Sequence, residues 1–272
     1  MVRRRHAFSF LLAALAAIPA SAAPAPIAIA DFVRHPTYSA VKISPDGAYL
    51  AMTVDRGQQD VLTVLRTQDL SLVRVNQLPD GKSVGQFVWT GPDRLMFNSI
   101  RKIGSYTQPF ATGEWYAVNA DGSMPRTLIS YGTRDATQRG KAVGNEVFSL
   151  LDALPDDDRN VVMQVNYPRS SEGAGTEVVL MDVYSGRRRP LARAPRENCG
   201  IALDAARQPR FANCASSKGE DGGYDTRSFL YRLDGGQKWT LLNDSRESGR
   251  HVEAIGSDGG DGAYALSSDG KA

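Results

Sequence analysis

Histidine is scarce in this sequence: three residues in 272, one of them within the first six. That leaves His35 and His251, too few for a histidine metal cluster or for a Ser-His-Asp set to be nominated. Cysteine is scarcer still, with Cys199 and Cys214 alone, which excludes a four-cysteine zinc or iron–sulfur site. There is no His-Glu-x-x-His zinc helix and no P-loop, and no segment is taken as a Gly-x-Ser-x-Gly nucleophile elbow. After the first 22 residues no stretch approaches the roughly 18 apolar residues that a spanning helix needs. No catalytic residue, no cofactor site and no metal site is therefore nominated, and no membrane span is expected.

Two acidic stretches are weighed as calcium loops. Asp156-Asp157-Asp158 has consecutive carboxylates that point different ways, without the alternating spacing of a calcium loop, so turn chemistry is the better account. Asp258-Gly259-Gly260-Asp261-Gly262 is a single copy of a Gly-Asp pattern and reads the same way. Trp89, Trp115 and Trp239 fall inside strand patterns and are read as core.

The first 22 residues read as a signal peptide. Arg3, Arg4 and Arg5 form a positive start, Ala7 to Ile18 an apolar stretch, and Ala20-Ser21-Ala22 a small-x-small cleavage form. An exported chain, periplasmic or secreted, is expected. Three of the 32 basic residues sit in this leader, so 29 oppose 30 acids in the remainder. A slightly acidic chain of this kind speaks against a nucleic-acid partner. Arg187-Arg188-Arg189 is its one dense basic run, read as a solvated turn.

Export places the cysteines in an oxidising compartment. Between them lie Ile201-Ala202-Leu203, a turn-like Asp204 to Pro209, and Phe211-Ala212, so both are about equally far from a hairpin tip. A cross-strand disulfide between Cys199 and Cys214 is expected; two buried free thiols are the alternative.

Two hairpin patterns alternate along the chain. Val41 to Val54 contains the first: Val41, Ile43, Leu50, Met52 and Val54 at spacing two share one strand face, around a Pro45-Asp46-Gly47 turn. Copies turn at Gly91-Pro92-Asp93, at Pro155-Asp156-Asp157, near Ala206, and between Ser257 and Gly262. The second pattern starts at Val61, Glu114, Val178 and Ser228, with Leu65, Val118, Val183 and Leu233 in matching places 53, 65 and 50 residues apart. Two hairpins per repeat give four strands per repeat, the pattern of β-propeller blades. The prediction is an all-β, partial propeller of about four and a half blades. A β-sandwich also has short strands and regular turns, but the paired series favours the propeller.

Residues 1–22 are thus a signal peptide, 23–40 an Ala/Pro-rich linker and lead-in segment, and 41–272 an incomplete propeller. Asp31 to Tyr38 is read as a short helix or an extended cap. Ile100 to Gly113, Tyr131 to Asn145 and Ser216 to Asp225 are expected to be loops. Ser267 to Ala272 spells another turn with no strand after it, which reads as a chain cut short.

Asp31-Phe32-Val33-Arg34, the hairpin Val41 to Met52 and its Trp89-bearing copy resemble the N-terminal propeller of the prolyl oligopeptidase family of serine peptidases, in its acylaminoacyl and dipeptidyl peptidase-like bacterial branch. The resemblance covers Asp31 to Ala272. It implies a propeller that admits peptide substrates to an α/β-hydrolase domain carrying serine, aspartate and histidine. That domain is missing from this sequence, and so is the adjacent Glu-Glu pair with which the dipeptidyl branch holds a substrate amine. The expectation is a gating propeller, inactive alone. A stand-alone periplasmic binding or scaffolding propeller is the alternative. A glycan- or metal-dependent lyase would need more histidines.

Overall fold

The computed structural model describes residues 36–102, 109–130, 146–170, 173–216, 227–235, 238–260 and 262–268. The leader, His35 and most of the lead-in segment lie outside them, as do the expected loops at 131–145 and 217–225. The first sheet holds β1 (Tyr38–Ile43), β2 (Tyr49–Asp55), β3 (Asp60–Arg66) and β4 (Leu72–Asn76). The second holds β5 (Ser83–Trp89), β6 (Arg94–Arg101), β7 (Phe110–Asn119) and β8 (Arg126–Ile129). The third holds β9 (Val147–Asp152), β10 (Asn160–Ser170), β11 (Gly173–Asp182) and β12 (Arg188–Arg193). The fourth holds β13 (Cys199–Leu203), β14 (Pro209–Ser216), β15 (Arg227–Leu233) and β16 (Trp239–Asp244). The fifth is a pair, β17 (His251–Ser257) and β18 (Ala263–Ser268). Each strand pairs antiparallel with its successor in the sheet. This is the predicted all-β partial propeller of four and a half blades.

Turn chemistry sets the hairpins. Ser44 is buried, its carbonyl accepts from the Gly47 N–H at 2.9 Å, and Gly47 takes φ +76°. The Ser44 hydroxyl donates to Asp46 Oδ1 at 2.6 Å and accepts from the Tyr49 N–H at 3.0 Å. Asp157 plays the same part in the third sheet, accepting from the backbone N–H groups of Arg159 and Asn160 at 2.9 and 3.0 Å. Asp258 Oδ1 accepts from the N–H groups of Gly260 and Gly262 at 2.8 and 3.1 Å. Asp157 and Asp258, two of the acids weighed as calcium ligands, thus have turn partners.

Alternation along each strand sends side chains to both neighbouring sheets. Leu95 and Phe97 join Ala51, Leu62 and Val64 of the first sheet, while Met96 joins Val161, Met163 and Val165 of the third. Val162 and Val178 meet Ile201, Ala212 and Phe229 of the fourth. Phe211 and Leu230 meet Ala254 of the fifth. One core therefore lies between each successive pair of sheets. Each fully buried Val, Leu or Phe contributes about 1.5–3 kcal/mol, so these shared cores stabilise each sheet through its neighbours.

Several details differ from the sequence reading. β1 begins at Tyr38, three residues before the predicted strand, and its pairing with β2 skips between Ser39 and Lys42. Val41 and Ile43 are 53% and 56% exposed. Their face is turned away from the second sheet, whose Phe87 carbonyl is reached by the Lys42 ammonium at 2.7 Å. The expected loop from Ile100 to Gly113 is shorter, because Ile100 pairs with Ala111 and Arg101 with Phe110. Polar Ser99, Thr112 and Glu114 hide the alternation there, but they bond one another. One turn of helix, α1 (Ser245–Ser248), was not foreseen. Asp244 caps its start by accepting from the Arg246 N–H at 3.0 Å, and Gly249 closes it at φ +69°.

Candidate functional site

In a four-stranded meander the first-to-second and third-to-fourth connections share one end. In this fold those include the short turns held by Asp46, Asp69, Asp121, Asp157, Asp204 and Asp258. The second-to-third connections and the links between sheets share the other end, where polar side chains converge between sheets.

The first convergence centres on Glu114, in the middle of β7. Its carboxylate pairs with the Lys82 ammonium at 2.9 Å. Oε2 also accepts from the hydroxyls of Ser99, Thr112 and Tyr116 at 2.9, 3.1 and 3.2 Å. Burial alone would raise its pKa, but the bonds from Lys82 and Ser99 and the Lys82 charge hold the carboxyl below its ordinary value. Burial, then the Glu114 charge, pushes the Tyr116 hydroxyl far above its own. Alongside, Lys102 pairs with Asp60 of the first sheet at 2.7 Å, and the Asp60 N–H donates to Ser83 Oγ at 2.9 Å. Both oxygens of Glu114 are engaged, so the group suits tying together the strands of the second sheet better than proton transfer.

Ser83 is also the centre of Gly81-Lys82-Ser83-Val84-Gly85, a Gly-x-Ser-x-Gly spelling that the sequence reading passed over. The structure removes it as a nucleophile elbow. Ser83 is fully buried at the start of a strand, its oxygen accepts from Asp60, and no helix follows.

The second convergence lies between the fourth and fifth sheets. Ser228 Oγ and His251 Nδ1 stand 3.0 Å apart. They line a cavity of about 390 Å³ with Asn213, Phe229, Glu253 and Leu266. Among the described residues no carboxylate bonds to the His251 ring, so the pair is a serine and a histidine without the acid that would complete a triad. Apolar walls with a few hydrogen-bonding groups suit binding. Asn213 also clamps the fifth sheet. Its Nδ2 donates to the Ala254 carbonyl at 2.8 Å and its Oδ1 accepts from the Ala254 N–H at 2.9 Å. Gln164 does the same one sheet earlier, accepting from the Ile201 N–H at 3.0 Å and donating to the Cys199 carbonyl at 3.3 Å.

Cys199 and Cys214 are directly paired in register on β13 and β14 and are joined by a disulfide, both buried. Cys214 forms part of the cavity wall. Of the tryptophans, Trp89 and Trp115 are core, whereas Trp239 is only partly covered and donates to the Arg193 carbonyl at 2.8 Å. Within the basic run, Arg188 pairs with Glu146 at 2.9 Å while Arg187 and Arg189 are exposed. Sequence reasoning had no signal for Glu114, Ser228 or Asn213.

No family model matches the sequence, and no curated protein matches it. Several solved structures are similar in fold. An oligogalacturonate lyase in complex with manganese has a TM-score of 0.46 at 11% identity, over 76% of this chain and 54% of that one. The β-propeller domain of the trilobed protease from Pyrococcus furiosus has a TM-score of 0.45 at 11% identity, over 86% and 69%. A structure from a study of two prolyl endopeptidases has a TM-score of 0.41 at 14% identity, over 81% and 29%. The chain spans about half the length of the lyase and under a third of the endopeptidase.

Proposed function

We propose that this chain is the substrate-gating propeller portion of an exported serine peptidase of the prolyl oligopeptidase type, inactive by itself. The observation that carries the reading is the opening hairpin. The segment Val41 to Met52, which resembles the family's blade motif, forms most of the first hairpin, β1–β2, of the first of a series of four-stranded sheets. In this role the propeller filters extended peptides from folded proteins and docks the hydrolase. Reading the genomic DNA past the codon for Ala272, in all three frames, tests it. A following frame with further blades and a nucleophile elbow is the expected result. A clean stop with no such frame would overturn it, as would peptide hydrolysis by this chain alone.

A stand-alone periplasmic binding module is the second reading, and the cavity of about 390 Å³ beside Ser228 and His251 favours it. It predicts saturable small-molecule or peptide binding with no hydrolase in the neighbouring DNA.

A further inference from the structure

Aspartate precedes glycine eight times in the sequence, and asparagine never does. An Asp-Gly pair carries a slow reaction of its own, because glycine has no side chain to shield its amide nitrogen from the preceding carboxyl. Five of the eight pairs have both residues described: Asp46-Gly47, Asp80-Gly81, Asp121-Gly122, Asp234-Gly235 and Asp258-Gly259. Four of these five have the carboxyl held. Asp46 Oδ1 accepts from the Ser44 hydroxyl and the Ala48 N–H at 2.6 and 3.1 Å. Asp121 Oδ1 accepts from the Ser123 N–H at 2.8 Å and Asp234 Oδ1 from the Lys238 N–H at 2.9 Å. Asp258 is bound by the N–H groups of Gly260 and Gly262. Three of the four also have the glycine amide engaged. Gly47 donates to the Ser44 carbonyl, Gly122 to the Asn119 carbonyl and Gly259 to the Ser257 hydroxyl.

Asp80-Gly81 is the exception. It turns the chain between β4 and β5, with Asp80 at φ +58° and Gly81 at φ +66°. The Lys82 N–H closes the turn on the Pro79 carbonyl at 3.2 Å. Both residues are exposed, and a Cβ on Gly81 would meet nothing within 4 Å. Among the described residues the Asp80 carboxylate accepts no hydrogen bond and the Gly81 N–H donates none. The flanks of the turn are fixed. Leu78 is buried, and Gln59 Nε2 donates to the carbonyls of Leu78 and Lys82, each at 2.6 Å. The pair is an open tip on a held base.

We propose that Asp80 is a site of spontaneous isoaspartate formation, and that the isoaspartyl carboxyl it yields is a substrate for an S-adenosylmethionine-dependent carboxyl methyltransferase. The Gly81 nitrogen bonds to Asp80 Cγ. Its proton and the hydroxyl of the neutral carboxyl leave as water, closing a five-membered succinimide. Water then adds to one of the two ring carbonyls. Opening at Cγ restores aspartate. Opening at the main-chain carbonyl breaks its bond to the Gly81 nitrogen, so that the chain runs through Cγ and an α-carboxylate is freed. One water leaves and one enters, and no other reactant is needed. The methyl step moves the sulfonium methyl to a carboxylate oxygen and releases S-adenosylhomocysteine. In the four held pairs the carboxyl must first leave its donors, and in three of them the amide must leave its acceptor. The product adds one backbone atom to the link between the first and second sheets, beside Lys82, which pairs with Glu114 at 2.9 Å. This inference does not depend on the peptidase reading.

The test ages the full chain at neutral pH and body temperature and follows its tryptic peptides. Residues 75–82 carry Asp80, 43–56 carry Asp46 and 103–126 carry Asp121. Isoaspartate is read as an equal-mass isomer that separates on reversed-phase chromatography, and as methyl groups that a purified L-isoaspartyl methyltransferase adds to that peptide. The isomer of 75–82 should form about tenfold or more faster than those of the other two, a factor set by the turn hydrogen bonds the others must break. In urea the held turns open, and the three rates should converge. Three results would overturn the proposal. They are equal rates at Asp80, Asp46 and Asp121 in the folded chain, no isomer of 75–82 over a time in which the unfolded chain forms it, and an isomer that the methyltransferase leaves unlabelled.

Discussion

Arg94 Nη2 donates to the Val183 carbonyl at 2.8 Å, so a guanidinium at the start of β6 is tied to the end of β11 in the next sheet. Arg94 is 1% exposed. Its Nη1 donates to Asn119 Oδ1 at 2.8 Å and to the Met124 carbonyl at 2.9 Å, and the guanidinium lies 4.3 Å from the Tyr184 ring centroid. Carbonyl oxygens and a ring face replace the carboxylate that usually meets a buried arginine.

That arrangement makes Arg94 a peg between the second and third sheets. Arg94→Ala should cost about 3 kcal/mol or more, since it leaves a cavity and buried carbonyls without donors. Arg94→Lys should cost less, about 1–2 kcal/mol, because one ammonium cannot serve three acceptors held in a planar fork. Urea unfolding of the two variants checks the order. Equal losses would mean that charge alone matters there.

The disulfide joins residues 15 apart in sequence. A loop of that size corresponds to about 3 kcal/mol of stability in the chain-entropy account. Thermal melts with and without reductant should therefore differ by several degrees, and Cys199→Ala/Cys214→Ala should melt like the reduced protein. Coincident melts would show that the bond adds nothing to the packing of two small buried side chains.

Gly122 turns at φ +85°, and a Cβ placed on it would come 2.5 Å from Nε of Arg74 in the first sheet. Gly47 has a similar φ of +76° with nothing within 4 Å. Gly47→Ala should cost about 1 kcal/mol from backbone strain alone. Gly122→Ala should cost that and the displacement of Arg74. A double-mutant cycle with Arg74→Ala isolates the second part, and an absence of coupling would remove Arg74 from the account.

The blades were legible because they are written locally. Spacing two, a Pro-Asp-Gly turn and a return strand occupy about 14 consecutive residues, and the turn fixes the register. The cysteines could be matched for the same reason, since both flank one tip. Arg94, Asn213 and Ser228 were not legible, because each has a partner in another sheet, Val183, Ala254 and His251 respectively. In the sequence, Ser99, Thr112 and Glu114 look like a break in a strand, and only the fold shows them satisfying one another. Val41 and Ile43 illustrate a different limit. Periodicity gave them a common face with Leu50, but only the stacking order tells which side of that sheet a neighbour covers.

Acid should loosen the second sheet around Glu114. Glu114 titrates below its ordinary value of 4.5 in the folded chain, its burial outweighed by bonds from Lys82, Ser99 and Thr112. Between the two values the unfolded chain holds the proton more readily, so stability rises with pH across that window. The contribution is fully present above about pH 4.5 and is lost as pH falls through the lower folded value. Asp157 and Asp182 shift the same way, burial being outweighed by turn hydrogen bonds, and they add to the slope. Urea midpoints measured from about pH 7 down to about pH 3 should therefore fall on the acid side. Glu114→Gln should lower stability at neutral pH by about 2 kcal/mol for the lost charge-assisted bonds, and should flatten the fall without abolishing it. Parallel curves for the two proteins would mean that Glu114 is as easily protonated in the folded chain as in the unfolded one.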